Sequence, residues 1–300
     1  MAPQTQKTAP ISQTLERWLP RIVVSPLLAM SLYFVYGFIA WTLYISFTDS
    51  GVMPDYTLEG LSQYERLWAT PRWYVALGNL FLFSSLFIAI CLAIGILLAI
   101  LLDQRIRIEG VIRTIYLYPM ALSFIITGTV WKWILNPGLG IQNMMRKAGF
   151  ESFTFDWLVN SDFAIYTIVI AAVWQSSGYA MALFLAGLRS IDDEILKAAA
   201  IDGAGEFRTY FSVVLPMMRP VFLSTVIILA HLAIKSFDLV IALTGGGPGY
   251  ATDMPATFMY SFAFQRSELG VAAASAIMML MTIIAIVVPY LYSELRGTKR

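Results

Sequence analysis

Charge is scarce in this 300-residue chain: 13% of residues are Asp, Glu, Lys or Arg, against 58% that are hydrophobic. Soluble domains run to about 25% charged residues, so this chain cannot clothe a water-facing surface. Disorder is excluded for the opposite reason, because too much apolar surface would stay wet. His231 and Cys91 are the sole residues of their kinds. A His/Cys zinc cluster, a CxxC redox pair and a disulfide framework are thereby excluded. The motifs G-x-x-x-x-G-K-[ST], G-x-S-x-G and H-E-x-x-H are also missing. ATP hydrolysis by this chain and intramembrane enzyme chemistry are therefore not expected. No catalytic residue and no metal ligand is assigned.

What the chain has is length in its apolar runs. A membrane helix needs about 20 mostly apolar residues, and six stretches qualify: 22–47, 77–102, 114–135, 163–188, 221–244 and 271–292. They are continuously apolar rather than alternating, which favours helices over a β-barrel. The expected fold is an all-α membrane protein of six transmembrane helices. Residues 1–21 are expected as a tail, 22–292 as the membrane domain and 293–300 as a second tail.

Six spans put both termini on one side. That side, with the 103–113 and 189–220 loops, holds 13 of the 20 Lys and Arg residues. Basic residues mark the cytoplasmic side, so both termini are expected inside. The net charge of +1 then divides into +4 on the inner face, −4 on the outer face and +1 within the spans.

Small residues recur at four-residue spacing: Cys91, Gly95 and Ala99; Ala182 and Ala186; Ala272 and Ala276. Such positions let helices approach closely. Intramembrane ionisable groups are costly and suggest a role. His231, Lys235 and Asp238 fall at i, i+4 and i+7, one face of a continuous helix. Lys235 and Asp238 are expected as a structural ion pair; the same three residues would serve a proton-coupled carrier, the alternative reading. In the fourth span Gln175, Ser176 and Tyr179 share a face beside Trp174. They suit either a solute pathway or helix–helix hydrogen bonding. Thr127 and Thr129 are weaker pathway candidates.

The 189–220 stretch is longer than a bundle connection needs. Ser190 and Asp193 read as a capping box, 192–194 load the first turn with negative charge, and Gly203 suits a helix stop. A second short helix is expected over 206–212, ahead of chain breaks at Pro216 and Pro220. The small face formed by Ala198, Ala199, Gly203 and Ala204 fits either a groove on another protein or a cover over the bundle end.

These residues carry a resemblance. Lys197-Ala198-Ala199, then Gly203, then Val213-x-Leu215-Pro216 matches, position for position, the E-A-A-x-x-x-G, nine residues, I-x-L-P loop of ABC importer membrane subunits. The fuller stretch from Ala198 through Asp202 to Ala204 is similar to the carbohydrate-permease branch typified by MalF and the glycerol-phosphate permeases. Phe237-Asp238 with 243–248 and Thr252 is similar to a second segment of that branch, and so are Asn79, 136–143 and 263–274. Two departures stand out: Lys197 replaces the loop's glutamate and Val213 its isoleucine. No salt bridge is therefore carried over at position 197.

The resemblance implies a sugar permease, possibly of glucose type, in a bacterial inner membrane. It implies an ATPase-docking contact at Lys197, Ala198, Ala199, Asp202, Gly203, Ala204, Leu215 and Pro216. It also implies a solute pathway that draws on Trp174, Gln175, Ser176, Tyr179 and His231. The implied partners are a second homologous permease, two ATPase subunits, an external solute-binding protein, membrane lipid and a neutral sugar, with no nucleic acid. No cofactor is expected in this chain, since ATP and magnesium would sit in the ATPase subunits.

Overall fold

The structure is a computed structural model that describes residues 10–104 and 107–297. Among the described residues the only β-pairing is an isolated bridge between Thr48 and Leu58. Everything else of length is helical, because in hydrocarbon a helix satisfies its own backbone.

The first helix begins at Pro10, passes through a π turn at Leu32–Tyr36 and ends at Ile45. Residues 10–21 of the expected tail are therefore helical, and residues 1–9 of that tail lie outside the described residues. The membrane-length part, Val23–Ile45, is α1, and none of its apolar window is buried within the chain. The second helix, α2, covers Pro71–Asp103. Next come α3, Glu109–Ala121, and α4, Phe124–Ile134, bent by 99° to one another. Then follow α5 (Ala164–Leu188) and the short α6 (Asp193–Ile201). A second bent pair, α7 (Tyr210–Met217) and α8 (Arg219–Ile234), turns by 59°. The described chain ends with α9 (Asp238–Leu243) and α10 (Leu269–Gly297). Four helices are long enough to cross alone, and six crossings result when each bent pair counts as one.

Two expected spans are thus corrected. The 114–135 run is not one helix. Pro119 lies in a 3-10 turn at Tyr118–Ala121, and Ser123 starts a new helix by accepting from the Ile125 N–H. The 221–244 run stops at Ile234 and resumes at Asp238, with a tight turn between in which the Phe237 N–H reaches the Lys235 carbonyl at 2.8 Å.

The core lies between α2 and α5, where 72% of the α5 window is buried. Cys91, Gly95 and Ala99 form one buried face of α2. A Cβ on Gly95 would stand 2.7 Å from the Ala180 Cβ, so hydrogen is the side chain that fits. Lipid removes most of the hydrophobic drive between helices, which leaves this close packing to hold the pair. The expected Ala182/Ala186 contact does not form: Ala186 is exposed, and α5 presents Ala180, Phe184 and Leu188 instead. Ala272 is buried as expected, and Ala276 only partly.

A dense polar knot closes the end of the bundle opposite α6. Asp253, 1% exposed at its side chain, accepts from Arg72 Nε at 2.6 Å. Thr257 donates to the same carboxylate at 2.6 Å, Arg72 Nη1 reaches Ser261 at 3.0 Å, and Asn79 donates to the Asp253 carbonyl at 2.9 Å. The Tyr250 ring lies 4.4 Å from the guanidinium carbon. Just before this knot the glycines of 245–249 form the expected tight turn, with φ of +66°, +89° and +60° at Gly245, Gly246 and Gly249.

Candidate functional site: a cavity at two helix breaks

The bend between α3 and α4 leaves the Leu122 carbonyl outside any helix. Gln175 meets it, its Nε2 donating at 2.8 Å. Satisfying a freed carbonyl in this way is what allows a broken helix at membrane depth. Gly178, one turn further along α5, sits against the Tyr116 carbonyl, and a Cβ there would collide with it. The bend is thus fixed on α5 by one amide and one missing side chain.

A cavity of about 270 Å³ opens at this point. Leu122 and Phe124 wall it from the bend, Gln175, Ser176 and Tyr179 from α5, and Ile228 and Leu232 from α8. The amide oxygen of Gln175 is buried with no hydrogen-bond partner. An unpaired buried acceptor costs about 1–3 kcal/mol.

A second cavity of about 190 Å³ shares Phe124 and Leu232 with the first. It is built from the break between α8 and α9, and Lys235, Ser236 and Asp238 face it beside Phe83 and Phe87. The expected Lys235–Asp238 ion pair is absent among the described contacts within 4.0 Å. The chain leaves the helix between the two residues, and both are exposed. His231 belongs to α8, is exposed, and lines neither cavity. Trp174 is 41% exposed and meets Trp131 edge-on at 5.9 Å rather than facing the cavity. Thr127 is buried with an unpartnered hydroxyl, while Thr129 donates back to the Ile125 carbonyl.

The walls at Leu122 and Phe124 were missed in the sequence. The available signal was Pro119 followed by Ser123, a stop and a new N-cap within one apolar run.

The 189–220 loop forms a separate surface. Its helix α6 starts at Asp192, whose carboxylate accepts from the Glu194 N–H at 2.9 Å. The Ser190 box is therefore corrected: Ser190 Oγ turns back to the Gly187 carbonyl at 2.7 Å. The helix stops as expected at Gly203, φ +77°. The Ala204 N–H reaches the Ala199 carbonyl at 3.0 Å and the Gly203 N–H reaches the Ala200 carbonyl at 3.1 Å, the two bonds of a Schellman stop. The second short helix forms over the expected 206–212 and runs beyond it, an α segment at Glu206–Thr209 continuing through a π turn at Tyr210–Val214 to Met217. Pro216 lies inside α7, and the chain bends next to Met218.

No residue of α6 is buried. Lys197, Ala198, Asp202 and Gly203 are exposed, Ala199 and Ala204 half-buried. Leu215 is half-buried and Pro216 exposed. A gap of about 410 Å³ separates Leu196 and Ala200 of α6 from Leu188 and Val214 beneath. Helix α6 is thus a ledge over the bundle end, while Val214 and Met218 of the same loop are buried in the core and Ile191 packs against it.

Comparison with known proteins agrees with this architecture. Residues 91–297 match the family described as "Binding-protein-dependent transport system inner membrane component". A probable ABC transporter permease of Pyrococcus horikoshii is 39% identical over 286 residues, 94% of this chain and 98% of that protein. A xylose/arabinose import permease of Haloferax volcanii is 37% identical, covering 90% of this chain and 85% of its own length. The fold matches a bacterial alginate ABC transporter, solved in complex with an alginate-pentasaccharide-bound periplasmic protein, with a TM-score of 0.81 at 21% identity over 96% of this chain and 98% of that one. The chain belongs to the inner-membrane components of binding-protein-dependent transport systems, as a permease subunit of an ABC transporter.

Proposed function

We propose that this permease supplies half of a neutral-sugar pathway, pairs with a second homologous permease, and takes its energy from two cytoplasmic ATPase subunits that dock on the 189–220 loop. The observation that carries the pathway is a cavity at the bend between α3 and α4, walled by Phe124, Gln175, Ser176 and Tyr179. Sugar recognition needs a few hydroxyl-matching polar groups among apolar and aromatic walls. No Arg or Lys lines this cavity, which favours a neutral sugar over a phosphorylated one. Lys235 faces only the neighbouring cavity, at the break after α8.

The ledge formed by α6 supports the docking role. Ala198 and Gly203 are exposed on it, its stop at Gly203 is fully formed, and a gap lies beneath it. Lys197 stands where relatives of this type have glutamate, so the ATPase surface that meets it is expected to offer an acidic or neutral group there. Both termini lie on the cytoplasmic side in this arrangement, following the basic residues. An external binding protein delivers the sugar to the opposite face.

The carrier alternative needs His231, Lys235 and Asp238 on one face, and the break after Ile234 removes that face.

The test is uptake of labelled sugars by the assembled transporter in proteoliposomes. Uptake that requires ATP and survives collapse of the proton gradient supports the reading; the reverse pattern overturns it. Gln175→Ala and Tyr179→Ala should each weaken apparent sugar affinity by roughly tenfold, the equivalent of about 1.4 kcal/mol. ATPase co-purification should stay unchanged. Wild-type uptake in both variants would remove the cavity from the pathway.

A further inference from the structure

We propose that Arg189 is a positioning residue that makes α3 follow the 189–220 loop, so that loop movement reaches the Gln175 cavity through α3. The proposal rests on the ATP-coupled reading above.

The inference starts from how α3 is held. No residue between Glu109 and Leu117 is buried, and only Ile112 and Leu117, both half-buried, pack against the core beside α5, so the two ends carry much of its hold. At the cavity end, the Leu122 carbonyl takes the Gln175 amide at 2.8 Å, and Gly178 lies against the Tyr116 carbonyl. At the other end stands Arg189. Its Nη2 is 2.9 Å from Glu109 Oε1, the first residue of α3, and its Nε is 3.7 Å from Asp103 Oδ1, the last residue of α2. The same Nη2 approaches the Leu102 carbonyl at 3.5 Å.

The backbone of Arg189 continues α5, its N–H bonded to the Leu185 carbonyl at 3.1 Å. Glu109 raises the pKa of the guanidinium further through their hydrogen bond, so the charge persists at any physiological pH. Arg189 is also the first residue of the loop. Among the described residues, the ion pairs joining that loop to the rest of the chain are both made by Arg189.

The geometry describes a lever. One guanidinium ties the loop's root to the near end of α3. The far end of α3 runs into the bend whose residues Leu122 and Phe124 wall the cavity. With only Ile112 and Leu117 packed along its length, α3 relies on its two end attachments to follow the loop. Arg113, one turn beyond Glu109, makes no ion pair among the described residues and does not duplicate the link.

The test uses the whole transporter in proteoliposomes and reads sugar moved per ATP hydrolysed. Arg189→Gln should lower that ratio at least about fivefold, the low end of ordinary coupling between sites. ATPase co-purification should stay normal. The exchanged pair Arg189→Glu with Glu109→Arg should restore most of the ratio, and Arg189→Lys should fall between. An unchanged ratio in Arg189→Gln overturns the proposal. So does a lowered ratio that the exchanged pair fails to restore, or loss of assembly in both Arg189→Gln and Arg189→Lys, which would mark a purely structural role. Wild-type uptake that ignores ATP would instead overturn the ATP-coupled reading, and this proposal with it.

Discussion

At one end of the bundle Asp253 is 1% exposed and grips Arg72 at 2.6 Å; at the other, the ion pairs of Arg189 leave its side chain 42% exposed, and α6 buries nothing. The two ends use the same chemistry, a guanidinium and carboxylates, at opposite burial. Removing one partner of a buried pair leaves an uncompensated charge at a cost of about 3–5 kcal/mol. Exposed pairs are worth about 0.2–1 kcal/mol. Burial thus makes the Arg72 end a fixed frame and leaves the α6 end free to shift at little cost. A transporter that alternates between two forms needs such a contrast, because a change at one end must be resisted elsewhere to become relative motion.

The contrast can be broken most directly at Arg72. Arg72→Ala should destabilise the chain by about 3–5 kcal/mol, read as a lower midpoint of thermal unfolding in detergent. A loss under about 1 kcal/mol would show that the knot is no frame. A smaller effect on the fold, with a larger one on function, is expected at Gly203. No atom lies within 4 Å of a Cβ placed there, so the strain comes only from φ +77°. Gly203→Asp should cost about 1 kcal/mol and leave the chain in the membrane, while sugar uptake is lost because the new side chain stands on the docking face. Normal uptake with a bound ATPase would place docking elsewhere. The smallest effect belongs to Asp192→Ala, which removes the N-cap of α6 for about 1 kcal/mol or less. Faster amide exchange over 193–196, with the Arg72 end unchanged, would sharpen the contrast; equal change at both ends would erase it.

The features readable in the sequence are those fixed by neighbours along the chain. The stop at Gly203 was legible because a left-handed residue after a helix favours glycine whatever surrounds it. The Cys91, Gly95 and Ala99 face was legible because periodicity survives packing. The start of α6 was displaced by two residues because Ser190 and Asp192 both suit a cap, and the bond to Gly187 that removes Ser190 depends on how α5 ends. The breaks at 118–123 and 235–237 were hidden because apolar content does not report whether a run is continuous. Pro119 and Ser123 mark the first locally, but what holds it is distant in sequence, the bond from Gln175 to the Leu122 carbonyl. The Lys235–Asp238 pair failed for the same reason: its spacing assumed a helix that tertiary structure interrupts. The shared face of Gln175, Ser176 and Tyr179 was legible because α5 is unbroken, whereas Leu122 and Phe124 opposite them belong to a bend.

That bend also acts on the lipid. At about 1.5 Å per residue, α3 and α4 are arms of about 20 Å and about 16 Å, folded through 99°. Taken as one crossing, they reach less far than the hydrocarbon core of about 30 Å is thick. A crossing that is too short draws the bilayer thinner beside it. Where the pair serves as one crossing, the bilayer beside Leu122 and Gln175 is therefore expected to be thinner than undisturbed membrane.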